Sequence, residues 1–298
     1  MNFVVSVAHV VTLARLRNIV HLLRNPAILR PLTLRQRSTM KIHQRYTHNQ
    51  LRNFNYILEL DDKRALVIDP WDPNEINEFL DMNHLSLYAI INTHEHWDHT
   101  QGNQALVDQH SCEVWAHKNG EGKIPALSRS LSAGEIINLN DKDQLLVLDT
   151  PGHTFAHCCF MVKENNVSKA IFTGDTLFNA GVGHCKGGGD EKVLYQTIIE
   201  QFHILDDSVI VYPGHDYLEN NLRFTLKYEP TNSAASAWLK KVANSSYWPG
   251  IIQTTIKDEK SFNTFFRLNN AEIINNLSLD KPDDEQVFLA LRARRDNW

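Results

Sequence analysis

Short apolar runs bounded by turn-forming residues recur along the chain from residue 55 onward. Asn55–Leu60 (NYILEL) and Ala65–Ile68 (ALVI) flank the polar turn Asp61–Arg64, predicting a β-hairpin whose second strand ends at Asp69-Pro70. Pro73–His84 spaces Ile76, Phe79 and Leu80 as one face of a helix, and Leu87–Asn92 (LYAIIN) reads as a buried strand. After a helix that starts near Thr100 and covers roughly Gln104–Gln109, strands are predicted at Glu113–Ala116, Ile136–Leu139 and Gln144–Asp149. Two more come at Ser168–Phe172 and Ser208–Val211. From Tyr217 the pattern turns helical, over Glu219–Lys227, Ser233–Ala243 and Asp283–Arg294. Strands mixed with helices, then helices alone, predict a layered α/β fold with a helical tail packed against its sheet. The chain has no internal repeat, and no Pro/Ser linker sets the tail apart.

The strand ends carry the chemistry. Leu87–Asn92 opens into Thr93-His94-Glu95-His96-Trp97-Asp98-His99, which places four side chains able to hold a divalent metal within six residues. Packing does not account for that density. His94 and His96, two apart in extended backbone, project to one side, while Asp98 and His99 lie past the bend, so one loop can serve two metals about 3.5–4 Å apart. Three later strands empty into loops bearing His153 (TPGHT), Asp175 (TGDT) and His215 (YPGH). Alone, each reads equally well as a turn or cap residue. Their shared place beyond strand ends, where layered α/β folds gather ligands, joins them to the first cluster. The run Gly181–Gly189 (GVGHCKGGG) lacks the Lys-Ser/Thr of a phosphate loop and reads as a mobile wall beside the site.

Composition narrows the class. With 298 residues, 42% hydrophobic, 22% charged and a net charge of −5, the chain reads as an ordinary soluble protein, with no basic block after residue 58 to suggest nucleic acid. Four cysteines without a C-x-x-C pair argue against a disulfide framework and for a reducing compartment, here the cytoplasm. Residues 1–58 contain no Asp or Glu, and residues 1–40 carry six arginines among apolar positions. That segment reads as an organelle transit peptide, which would make the mitochondrial matrix the compartment, or as an extension upstream of a start at Met40. Its apolar run Phe3–Ala14 is too short to span a bilayer, so no membrane association is expected.

In this order THEHWDH, PGHT, FTGDT and YPGHDY resemble the metallo-β-lactamase superfamily, and most closely its hydroxyacylglutathione hydrolase (glyoxalase II) family, over about residues 52–298. The resemblance implies an αββα sandwich over 41–217 and a helical substrate-binding domain over 218–298, with NNLRFTLKYEP and NTFFRL matching that second domain. It implies that His94, His96 and His153 hold one divalent ion and that Asp98, His99 and His215 hold another. Asp175 would bridge them, and Asp98 and Asp175 would be the catalytic carboxylates. Zinc is the expected metal, with iron or manganese as alternatives. Tyr217, Arg267, His184 and Lys186 fall where the family contacts its thiol carrier. The sequence departs from that pattern at His184-Cys185-Lys186, where the family offers a lysine and then aromatic residues, and at Asn269-Asn270, where a lysine is expected. Cys185 in that loop reads either as packing or as a thiol sensor beside Lys186.

The resemblance implies hydrolysis, by a monomer, of a small-molecule thioester of the S-(2-hydroxyacyl)glutathione kind, such as S-lactoylglutathione, to the 2-hydroxy acid and free thiol in methylglyoxal detoxification, with a different thiol carrier as the alternative. An electropositive centre draws anionic acyl substrates, and a thiol with a pKa near about 8.5 leaves with little acid assistance. A β-lactamase is disfavoured by Asp at position 175, and a nuclease by the absence of a basic surface. The main rival is a persulfide dioxygenase with one iron, which lacks a long helical tail. A purely structural metal site is disfavoured, because such sites close with four Cys or His ligands.

Overall fold

The computed structural model describes residues 40–244 and 253–298. The expected basic extension, residues 1–40, lies outside the described residues except for Met40. Two six-stranded sheets pack face to face with helices on both outer faces. The first is built from β1 (Lys41–Tyr46), β2 (Phe54–Glu59), β3 (Arg64–Ile68), β4 (Ser86–Ile91), β5 (Glu113–His117) and β6 (Arg129–Leu131), in that order. β1 to β3 pair antiparallel, and β3 to β6 pair parallel.

The second sheet is built from β7 (Ile136–Asn138), β8 (Asp143–Asp149), β9 (Cys158–Glu164), β10 (Val167–Gly174), β13 (Ile210–Pro213) and β14 (Thr254–Thr255). Its order from one edge is β14-β13-β10-β9-β8-β7, with β10 and β13 parallel and the other neighbours antiparallel. A small hairpin of β11 (Leu177–Phe178) and β12 (Gly181–Val182) stands apart from both sheets.

Side chains alternate across a strand with a period of two, and the buried sets obey that rule. Phe54, Tyr56 and Leu58 of β2, Leu66 and Ile68 of β3, and Cys158, Phe160 and Val162 of β9 enter the core between the sheets. Ile57, Ala65 and Val67 point outward, onto α1 (Pro73–Asn83) and α3 (Asn103–His110). Cys159 and Met161 point outward from the second sheet, onto α4 (Glu191–Thr197) and the C-terminal helices. Trp115, Phe160 and Phe172 are among the largest fully buried side chains, and truncating any one would cost about 3–5 kcal/mol. That packing fixes where the strands end.

Caps set the helix starts. Asp72 accepts from the Asn74 backbone N–H ahead of Pro73 at the start of α1, and Asp190 caps α4. The tail holds α5 (Leu218–Tyr228), α6 (Ser233–Ala243), α7 (Ile256–Phe262), α8 (Ala271–Asn276) and α9 (Asp284–Arg295), with reciprocal capping boxes at Thr255/Asp258 and Asp283/Gln286. Phe224, Ile256, Ile273, Phe288 and Leu291 from these helices share one core with Ile171 and Val211, so the tail packs on the second sheet as expected. No helix among the described residues is long and apolar enough to cross a membrane.

The apolar pattern located the β2–β3 hairpin, α1, α6 and α9 within a residue or two. It passed over β1, β6, β9 and β14 together with α4, α7 and α8. The metal loop is partly helical, since Asp98 and His99 sit within the one-turn α2 (Trp97–Thr100). The Gly-rich run is a wall, and a pinned one: Gly181–Val182 pairs with β11, Gly189 N–H donates to the Cys185 carbonyl, and Asp190 N–H donates to the Gly152 carbonyl.

Candidate metal centre

All seven expected ligands meet at one edge of the sandwich. The first sheet delivers His94, His96, Asp98 and His99 beyond β4. The second delivers His153 beyond β8, Asp175 beyond β10 and His215 beyond β13, the last two side by side because Gly174 pairs with Pro213. Gly174 has φ +46, and a Cβ there would lie 2.6 Å from Thr93 Oγ1 and 2.7 Å from His157 Nε2.

In each histidine one ring nitrogen is tied to an oxygen outside the centre, which leaves the other free to converge. His99 Nδ1 donates to Asp69 Oδ2 at 3.0 Å, His153 Nδ1 to the His184 carbonyl at 2.5 Å and His215 Nδ1 to the Leu51 carbonyl at 2.8 Å. His94 Nδ1 lies 3.0 Å from Thr93 Oγ1, a hydroxyl that itself donates to Asp69, so the His94 ring donates there too. His96 is turned the other way, with Nε2 donating to the Gly187 carbonyl at 3.1 Å. Such outer partners fix ring tautomers at metal sites.

The remaining nitrogens, now without hydrogen, crowd together. His96 Nδ1 is 3.0 Å from both His94 Nε2 and His153 Nε2, and His99 Nε2 is 3.2 Å from His215 Nε2. Asp98 Oδ2 lies 3.3 Å from His99 Nε2 and 3.4 Å from His215 Nε2. Asp175 spans the halves, with Oδ2 3.5 Å from His153 Nε2 and 3.3 Å from His215 Nε2, and Oδ1 3.4 Å from His99 Nε2. Ligand atoms form the triads His94/His96/His153, His94/His99/Asp175 and Asp98/His99/His215, each within 4.8 Å.

Lone pairs facing one another at hydrogen-bond distance repel unless a cation lies among them. Asp175 Oδ1 is buried without a hydrogen-bond partner, as a metal ligand would be. The donor set of five imidazoles and two carboxylates thus fits a binuclear metal site.

Electrostatics agree. Burial pushes His94 and His157 well below the ordinary histidine range and His153 down to about 4, leaving them neutral near pH 7. Burial also opposes charge on Asp98 and Asp175, yet His99 holds the first carboxyl, and His215 and His99 the second, well below the usual carboxylate range. His99 runs the other way: burial lowers it, but Asp175 and then Asp69 outweigh that and hold it well above.

Sequence reasoning missed the residues that hold the ligands. Asp69 accepts from Thr93 N–H at 2.8 Å, Thr93 Oγ1 at 2.7 Å and His99 at 3.0 Å, all with its side chain buried. Its place at a strand end before Pro70 was visible, but it read as a turn. His157 stacks on His94 at 5.0 Å and accepts from the Asp175 backbone N–H at 3.2 Å, so it steadies the bridging position. Asn53 Nδ2 donates to Asp98 Oδ2 at 3.0 Å.

A cavity of about 290 Å³ adjoins the centre, lined by Phe178, Val182, His184, Lys186, Tyr217, Arg292, Arg295, Asp296 and Trp298. Tyr217 joins the two, its ring stacked on His215 at 5.0 Å with 4° between planes. Three of the four residues expected to meet the carrier, Tyr217, His184 and Lys186, therefore line this cavity, and Arg267 does not. The Arg267 guanidinium is taken by the buried Glu229 at 2.5 and 2.8 Å, inside the helical tail. The cavity's arginines come instead from α9. Arg292 is bound to the Val182 and Gly183 carbonyls and to Asp296, Arg295 donates to the Asn221 side-chain oxygen at 3.0 and 3.2 Å, and Lys186 pairs with Asp296 at 3.5 Å. Cys185 is 5% exposed, and burial pushes its thiol up to about 12, so it is packing rather than a sensor. All four cysteines are free and buried.

Comparison with known proteins agrees with this geometry. The metallo-beta-lactamase superfamily model matches residues 50–215, and the hydroxyacylglutathione hydrolase C-terminus model matches 216–298. The hydroxyacylglutathione hydrolase of Polaromonas sp. strain JS666 is 41% identical over 87% of this chain and 100% of its own length. That of Nitrosococcus oceani gives the same identity and coverage. Among solved structures, ETHE1 from Myxococcus xanthus is similar in fold, with a TM-score of 0.59 at 23% identity, covering 86% of this chain and 98% of its own. Matched along both its sandwich and its helical tail, the chain belongs to the hydroxyacylglutathione hydrolase family of the metallo-beta-lactamase superfamily.

Proposed function

We propose that the protein hydrolyses S-(2-hydroxyacyl)glutathione thioesters, such as S-lactoylglutathione, to the 2-hydroxy acid and free thiol, and that zinc is its metal. In this reading residues 41–217 form the catalytic domain and residues 218–298 contribute the substrate-binding one. The observation that carries the reading is the seven-ligand centre opening, across Tyr217, onto a cavity with three cations and one carboxylate. Bound there, two divalent ions would supply Lewis acidity toward a carbonyl and a nucleophile available near neutral pH.

The chain's own groups do the rest. His94, His96 and His153 would hold one ion and Asp98, His99 and His215 the other, with Asp175 placed to serve both. Asp98, steadied by Asn53 at Oδ2, would hold and orient the attacking water rather than take its proton. Lys186 and Arg295 attract the carboxylates of the carrier, while Phe178 and Tyr217 wall the thioester from bulk solvent. The thiolate leaves without a general acid, because its ordinary pKa lies near about 8.5.

Steady-state assays of S-lactoylglutathione against other acyl thioesters, alongside elemental analysis, test the reading. Preferred cleavage of the glutathione thioester with about two metals per chain is expected. Oxygen uptake with glutathione persulfide and a single iron would overturn it.

A further inference from the structure

One carboxylate close to the centre is absorbed by neither the ligand set nor the cavity. Glu95 stands between the ligands His94 and His96, and its side chain is 13% exposed. It does not turn toward the centre. Its Oε2 accepts the hydroxyl of Thr154, the residue after the ligand His153, at 2.8 Å, and its Oε1 accepts Lys123 Nζ at 3.3 Å. Thr154 is fully buried, so its hydroxyl has no ready exchange with solvent.

We propose that Glu95 is a positioning residue, clasping the loop that bears His94 and His96 to the loop that bears His153 and so setting the metal affinity of that half of the centre. The three ring nitrogens involved come from two loops on different sheets, His96 and His153 being 57 positions apart. A chelate assembled from two loops binds well only if their separation is already fixed, because any slack is lost as ordering entropy when the ion binds. The Glu95–Thr154 bond removes that slack one residue from His94 and His96 on one loop and from His153 on the other. Lys123 balances the carboxylate, so the clasp adds rigidity without adding net negative charge to the centre. The other half, Asp98, His99 and His215, has its own supports in Asn53, Asp69 and the Leu51 carbonyl and does not depend on Glu95.

The inference rests on the binuclear reading and is tested apart from turnover. Metal-free full-length chains carrying Glu95→Ala, Glu95→Gln, Thr154→Val or Thr154→Ser are titrated with zinc against a chromophoric chelator, and their metal-free melting temperatures are recorded. Outer-shell partners of metal ligands are typically worth about 10–100-fold in affinity. Glu95→Ala and Thr154→Val are therefore expected to weaken one of the two zinc affinities by about tenfold or more and to leave the other unchanged. Glu95→Gln and Thr154→Ser keep an acceptor and a hydroxyl, and are expected to stay within about threefold of the wild type. Should Glu95→Ala fail to fold, the Thr154 pair gives the same comparison.

Wild-type affinities in Glu95→Ala or Thr154→Val, or a lower metal-free melting temperature as the sole change, would overturn the clasp alone. So would Glu95→Gln behaving like Glu95→Ala. A wild-type chain that binds no zinc would overturn the binuclear reading as well.

Discussion

Replacing Asp69 by Asn changes one buried oxygen into an NH₂ group, and the surrounding bonds fix the outcome. Oδ2 accepts from both Thr93 Oγ1 and His99 Nδ1, while Oδ1 accepts from the Thr93 backbone N–H. If the amide NH₂ takes the place of Oδ2, it opposes the His99 N–H at 3.0 Å, donor against donor. If the amide is flipped, the NH₂ opposes the Thr93 N–H at 2.8 Å instead. Neither placement satisfies every partner, and a hydrogen bond to a charged group is worth about 1.5–3 kcal/mol.

The strain is relieved when His99 moves its hydrogen from Nδ1 to Nε2, where His215 Nε2 waits 3.2 Å away to accept it. That shift blocks the nitrogen needed for a metal. The expected loss is about 10–100-fold in affinity for one ion, equivalent to about 1.4–2.8 kcal/mol. Nitrogen-15 NMR of the imidazoles in the metal-free chain reads the tautomer, and zinc competition reads the affinity. An Asp69→Asn protein with His99 still protonated at Nδ1 and both zinc affinities unchanged would refute this chain of cause and effect.

Other contacts set outcomes of their own. Tyr56→Phe removes the buried hydroxyl that donates to the Pro213 carbonyl at 2.6 Å across the two sheets, and should cost about 1–2 kcal/mol, read as a melting temperature lower by a few degrees. Arg295→Ala should raise KM for a glutathione thioester about tenfold with little change in kcat. Arg267→Ala should lower the melting temperature and leave KM alone, and a raised KM there would restore Arg267 to the carrier site. Burial raises Glu259 from its ordinary value to about 8, so the folded chain holds a proton that the unfolded chain releases above the ordinary value. Its contribution to stability is full at low pH and is lost as the pH rises toward 8. Glu259→Gln should flatten that part of the melting-temperature profile, and parallel profiles for the two proteins would contradict the assignment.

The ligands were legible because a strand end constrains both backbone and function. His153, Asp175 and His215 each come after a readable apolar run, so their convergence is determined once the strands share a sandwich. Supports such as Asp69 and His157 were hidden, since a strand-end Asp-Pro is ordinary turn material and a buried histidine carries no pattern of its own. The strand Cys158–Glu164 was missed because it succeeds the TPGHT loop with no new turn residues to announce it. Lys41–Tyr46 was missed because it is an edge strand without a clear alternation. Arg267 lies away from the cavity for a different reason. NTFFRL places Arg267 near Glu229 through contacts within the tail, whereas Arg292 and Arg295 reach the cavity only because α9 returns over β12, a long-range packing event.

Each half of the centre draws donors from both sheets: His94 and His96 meet His153, while Asp98 and His99 meet His215. Metal loading therefore rivets one layer of the sandwich to the other. An ion present at a hundred times its dissociation constant adds about 2.7 kcal/mol to the folded state. Metal supply would thus govern how long the chain resists unfolding and proteolysis as well as how fast it turns over, and starvation for metal would deplete the protein itself.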